Sequence, residues 1–151
     1  TARASKATMY RSWPTKADLV FAAVLDSMSQ VAVDPDTGSL RGDLLAIGQT
    51  VSGQVRQHAA TMRAVLAETS RDAALGNLLQ QQFLGERKKV ITLVLRRAVG
   101  RGEISAGAVN DDLWDLLPGY LVYRAVVADR PPTKRTVVAL IDDVILPSLG
   151  R

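Results

Sequence analysis

The run Leu113-Trp114-Asp115-Leu116-Leu117-Pro118-Gly119-Tyr120-Leu121-Val122-Tyr123-Arg124-Ala125-Val126-Val127 decides the fold class. Its apolar residues surround nearly the whole circumference of a helix, whereas a surface helix in a small domain shows a polar half. Asn110, Asp111 and Asp112 precede it, offering a side-chain cap and negative charge at the positive end of the helix dipole. Such a helix is either the centre of a core or meets its own domain on one side and a second copy on the other. The segment Thr136 to Leu149 has a similar excess. Val137, Leu140, Ile141, Val144, Ile145 and Leu149 form its stripe, and Val138 and Leu146 fall off it. Asp129-Arg130-Pro131-Pro132 separates the two helices, and Pro147 is expected to kink or end the second. Two consecutive helices with surplus apolar surface suggest a four-helix interface made by two chains. Its candidate residues are Leu121, Val122, Ala125, Val137, Leu140, Ile141, Val144 and Ile145.

Helical periodicity extends upstream. Arg71 to about Arg101 contains no proline and carries Leu75, Leu78, Leu79, Phe83, Val90, Leu93 and Val94 as an apolar stripe. At 1.5 Å per residue it makes a rod of roughly 45 Å. It stops at Gly100-Arg101-Gly102, where a glycine suits the left-handed residue that ends many helices. Shorter helices are expected over Leu40 to His58, Ala60 to Thr69 and Thr15 to about Ser29. Strict alternation nowhere lasts for a strand's length, so the chain is all-α.

Composition excludes several classes. The 151 residues are 47% hydrophobic and 23% charged, which fits one globular domain and not a disordered or low-complexity chain. The absence of cysteine removes disulfide scaffolds, thiolate metal sites and cysteine nucleophiles. A single histidine leaves no two-histidine metal site, and no phosphate-binding glycine loop or nucleophile elbow occurs. Asp111-Asp112 and Asp142-Asp143 are adjacent pairs, which diverge by about 100° on a helix rather than converge on a substrate. No enzyme, cofactor or metal is implied. No apolar run reaches the roughly 18 residues of a membrane span, so a soluble, cytoplasmic protein is expected. The formal charge of +4 permits a polyanion partner.

The first residues are more specific. Ser5-Lys6-Ala7-Thr8-Met9-Tyr10-Arg11-Ser12-Trp13-Pro14-Thr15-Lys16-Ala17-Asp18-Leu19 concentrates donors of several lengths, with Ser5 able to cap a short helix whose free N–H groups suit a phosphate. A basic helix end that only aids solubility is the plainer reading of those residues. The segment resembles the recognition-helix end of the tetracycline-repressor family of transcription regulators: a short helix beginning Ser-Lys, Thr and Tyr on one face, then an aromatic, a turn, a Lys and a long connecting helix. Pro35 to Leu44 and Arg101-Gly102-Glu103-Ile104 also look like the ligand-binding part of a subgroup of that family.

The resemblance implies a remnant of a helix-turn-helix domain over 1–14 and a ligand-binding and dimerisation domain over 15–151, with the connecting helix at 15–33. Lys6, Thr8, Tyr10 and Lys16 would contact phosphates of a double-stranded DNA operator, and Thr8 or Arg11 would reach a base edge. Two helices normally stand ahead of the recognition helix, but here only Thr1-Ala2-Arg3-Ala4 precede Ser5. An interruption between Ala4 and Ser5, with helices deleted or disordered, is therefore expected.

The implied function is a homodimeric repressor released from DNA by a small hydrophobic effector. The alternative is a hydrophobic-ligand carrier without DNA activity. Inward stripes nominate Met28, Val51, Val55, Met62, Leu66, Phe83, Trp114, Leu117 and Tyr120 as pocket residues, although ordinary core packing explains any one of them. Gln54, His58, Gln82 and Tyr120 are candidate polar handles. Arg87-Lys88-Lys89 is expected on an exposed face. Several glycines inside helices, Gly48 and Gly53 among them, suggest close helix approach or room for a ligand.

Overall fold

The computed structural model describes Leu19, Ala23 and residues 34–109 and 112–150, apart from the side chains of Gln82, Phe83 and Trp114. Among the described residues every regular element is helical.

Helix α1 spans Leu40–Gln57, one residue short of the expected end. Ser39 begins it, its Oγ accepting the Gly42 N–H at 3.0 Å. A Cβ on Gly42 would collide with the Thr37 and Ser39 hydroxyls, so glycine leaves room for both above the first turn of α1. Helix α2 spans Ala59–Thr69 and α3 spans Ala73–Leu78, capped by Asp72. The expected rod is helical from α3 onward but not uniform. Leu79–Leu84 is wound as a π-helix before α4 resumes over Gly85–Gly100. Gly102 takes φ +78°, and the N–H groups of Gly102 and Glu103 bond the carbonyls of Val99 and Ala98, both at 3.0 Å. That pattern closes the helix through a left-handed glycine, as the sequence suggested.

A short 3₁₀ turn at Ala106–Ala108 leads to α5, Leu113–Val122, which continues as a π-helix over Tyr123–Val127. The caps expected of Asn110 and Asp111 lie outside the described residues. Arg63 of α2 donates to the carbonyls of Ala125 and Val126, both at 2.9 Å, satisfying acceptors at that helix end. Helix α6 spans Lys134–Leu140, starting before the expected Thr136 because Thr133 and Thr136 cap each other reciprocally. It continues as a π-helix over Ile141–Ile145 and as α7, Leu146–Leu149. Pro147 lies two residues before the helix ends at Leu149.

The centre of the core is α1, packed on α4, α5 and α6. It contributes Leu40, Leu44, Ile47, Val51 and Val55. Around it stand Ile91, Val94, Leu95 and Ala98 of α4, Leu117, Leu121 and Ala125 of the α5 rod, and Val137, Leu140, Ile141, Ile145 and Leu149. Gly48 lets α6 approach, because Val137 sits where its Cβ would be. The apolar circumference of α5 is thereby explained: one face fills the protomer's core and the opposite face is exposed.

Most of the expected dimer residues are part of that core. Leu121, Ala125, Val137, Leu140, Ile141 and Ile145 are buried in the protomer's own core and have little surface left for a partner. Val122 is half-buried against the same core, and Val144 is exposed. Among the described residues, the large apolar side chains exposed on these helices are Leu116, Tyr120, Tyr123, Val127 and Val144.

Candidate functional site: a recess and an outer groove

Between α1, α4 and α5 lies a small recess of about 30 Å³, lined by Ile47, Thr50, Val51, Arg87, Val90, Ile91 and Pro118. Its walls are mostly apolar, with the Thr50 hydroxyl and the Arg87 guanidinium as polar exceptions. Arg87 does not lie on an exposed face as expected, whereas Lys88 and Lys89 do. It leans inward and donates to Oε1 of the buried Gln54 at 2.9 Å. Burial lowers its pKa, because a guanidinium cation loses hydration there. Proline at 118 has no N–H and so leaves a carbonyl one turn earlier in α5 without its helical donor, beside the recess.

The recess does not gather the nine expected pocket residues. Val51 borders it. Val55 and Leu117 are core residues, and Met62 is half-buried against the core. Leu66 is 44% exposed, and Tyr120 faces the opposite side of α5. Their helical phase is apolar, but phase alone does not separate a pocket wall from core or surface. Met28 lies outside the described residues, as do the side chains of Phe83 and Trp114. Lys6, Thr8, Tyr10, Arg11 and Lys16, the expected DNA contacts, also lie outside them. Sequence reasoning missed Ile47, Thr50, Arg87, Val90 and Ile91. A cation three residues before an apolar pair was the available signal for Arg87.

A brace joins the recess helix to the segment before α1. Arg97 of α4 pairs with Asp34 at 3.0 Å and donates to the Pro35 carbonyl, also at 3.0 Å. Two residues on, the Thr37 N–H and hydroxyl donate to Oδ1 of Asp43 at 2.8 and 2.7 Å. Asp43 is fully buried, and Arg101 lies 3.7 Å from its Oδ2. Glu103 accepts the Leu40 N–H at 3.0 Å and pairs with Arg101 at 2.8 Å. The turn at 34–39 is thus fixed to both α1 and the end of α4.

On the outer side, α5 and α6 flank an open groove of about 480 Å³, bordered by Leu116, Tyr120, Arg124, Leu140, Asp143 and Val144. Val127 is 71% exposed, and Tyr123 and Val144 are each 48% exposed. Among the described residues no cluster of His, Asp or Glu could hold a metal ion, and no helix is long and apolar enough to cross a membrane.

Known proteins carry the same architecture. Residues 34–144 match the family model "Tetracyclin repressor-like, C-terminal domain". An uncharacterized HTH-type transcriptional regulator of Mycobacterium tuberculosis is 58% identical over 151 residues, covering 100% of this chain and 75% of that protein. That alignment is as long as the chain, so relative to this regulator no residues are missing between Ala4 and Ser5, contrary to the expected interruption. A DNA-binding transcriptional repressor, TetR, of Mycobacteroides abscessus is 31% identical over 96% of this chain and 77% of its own length. The crystal structure of a TetR-family transcription regulator superimposes with a TM-score of 0.79 at 26% identity, covering 97% of this chain and 81% of that one. The helical order, the family-model match and these relatives agree: the chain belongs to the tetracycline-repressor family of transcription regulators, a non-enzymatic class.

Proposed function

We propose that the protein is a homodimeric repressor released from its DNA operator by a small hydrophobic effector. In this reading residues 1–14 carry the recognition helix, with Lys6, Thr8, Tyr10, Arg11 and Lys16 toward DNA. Residues 15–33 connect it to the sensing part of the 15–151 domain. The observation that carries the reading is the double role of α4. Arg87 and Ile91 border the recess, and Arg97, about 15 Å along the same helix, grips Asp34 and Pro35. An effector that widens the recess must displace α4, α1 or α5, and α4 pulls directly on the segment before α1. Two half-sites on DNA must stand about 34–36 Å apart, so a shift of a few ångströms in the connecting segments breaks their register. The relative named as a repressor supports the sign of regulation. The exposed apolar face of α5 and α6 supports the dimer.

Fluorescence anisotropy with duplex DNA from upstream of the gene tests the reading. Affinity should fall steeply with added salt, and the effector should weaken it by about 5–150-fold. Equal affinity for that duplex and unrelated DNA would reject the operator, and unchanged DNA affinity under saturating effector would reject the release mechanism.

A further inference from the structure

The outer groove is asymmetric in charge as well as apolar. Arg124 stands on its α5 side and Asp143 on its α6 side. The Arg124 guanidinium is fixed in place: Nε donates to the Arg130 carbonyl at 3.0 Å, and the cation lies 5.9 Å from the centre of the Tyr120 ring. Asp143 is exposed, whereas its neighbour Asp142 is already paired with Arg41. One wall of the groove therefore offers a positioned cation and the other a carboxylate, and Leu116, Tyr120 and Val144 line the same groove.

A two-fold interface is self-complementary: if residue i of one protomer meets j of its partner, j meets i. A surface with a cation and an anion on opposite flanks satisfies that rule when the two helices of each copy pack across those of the other. We infer that Arg124 of each protomer pairs with Asp143 of the second copy, once on each side of the axis, and that this reciprocal pair selects the register and the identity of the dimer partner. The inference rests on the homodimer proposed above and adds which residues govern self-recognition. The exposed apolar residues supply area. They do not distinguish this chain from another copy with a similar apolar face, whereas like charges placed opposite each other reject it.

Charge reversal tests this with the complete protein. R124E carries acidic groups on both flanks and D143R basic groups on both. Each alone should dissociate on the order of 100-fold more readily than the wild type in analytical ultracentrifugation, since each interface holds two copies of the pair. An equimolar mixture of R124E and D143R should form the mixed dimer, because both pairs are then of opposite charge. The double variant R124E/D143R should recover the homodimer. D143R keeps the result interpretable if R124E folds poorly through loss of its hold on Arg130. Single variants that dimerise as tightly as the wild type, or a mixture that stays monomeric while the wild type is dimeric, would overturn the pairing. A monomeric wild type at micromolar concentration would instead overturn the dimer itself.

Discussion

Gly48 of α1 faces Val137 of α6 so closely that a Cβ on Gly48 would overlap the Val137 Cγ1 methyl. Val137 is fully buried and the neighbouring Leu117 is within 3.4 Å of the same point, so neither can step aside freely. Gly48→Ala gains up to about 1 kcal/mol of helix propensity but incurs about 1–3 kcal/mol of overpacking. The overlap should win, lowering stability by about 1–2 kcal/mol in urea denaturation. Gly53 lies in the same helix with open space around it, so Gly53→Ala should stabilise by up to about 1 kcal/mol. If both substitutions stabilise, α1 and α6 are not in contact as described.

Asp43 should be among the costly polar residues to remove. Its carboxylate accepts two bonds from Thr37 and is fully buried. Asp43→Ala removes two hydrogen bonds to a charged acceptor, at roughly 1.5–3 kcal/mol. Asp43→Asn, which keeps an acceptor, should lose less. Equal loss in the two variants by thermal unfolding would contradict the assignment of Oδ1 as the anchor of the turn.

Arg97→Gln should leave global stability nearly unchanged, since its partner Asp34 is exposed. The brace should nonetheless loosen. Amides around residues 34–38 should exchange faster with deuterium, and the fold-reduction in DNA affinity caused by effector should shrink. Unaltered exchange and unaltered coupling together would show that α4 does not transmit through Arg97.

The Arg41–Asp142 pair makes a modest contribution that depends on pH. A bidentate hydrogen bond from Arg41, at 2.8 and 3.0 Å, holds the Asp142 carboxyl below its usual range. A depressed folded-state pKa stabilises the fold above the unfolded value and loses that effect as pH falls through the folded one. Stability of the wild type should therefore drop more than that of Asp142→Asn as pH falls below about 4. Parallel acid titration curves would mean that solvent screens the pair completely.

Element type was legible because apolar phase reports it directly: α1 and α2 end within a residue of expectation. Less legible was which side of α5 faces inward, since Leu116 and Leu117, or Tyr120 and Leu121, are equally apolar in sequence. Burial of Leu117 and Leu121 with exposure of Leu116 and Tyr120 is fixed by α1, and sequence periodicity carries no information about a neighbour's position. The recess shows the same gap. Arg87 in Arg87-Lys88-Lys89 reads as one of three solvated cations, and only the fold brings Gln54 within 2.9 Å of it. The start of α6 was legible in principle, because Thr133 three residues before Thr136 is a capping pair.

The widened turns have a consequence for insertions and deletions. Residues Val137, Ile141, Ile145 and Leu149 are buried at intervals of four. Four residues of an ordinary α-helix overshoot a full circle by about 40°, so three such steps would wander about 120° off line. The π-wound stretch Ile141–Ile145, closed by the Leu146 N–H on the Ile141 carbonyl, takes up that drift. Removing one residue there would let the stretch wind as ordinary α-helix, with Leu149 eleven steps from Val137, about 20° from the same line and still facing α1. A frame-preserving single-codon loss within Ile141–Ile145 should therefore be tolerated better than one inside α1, where the same loss turns the downstream buried face by about 100°.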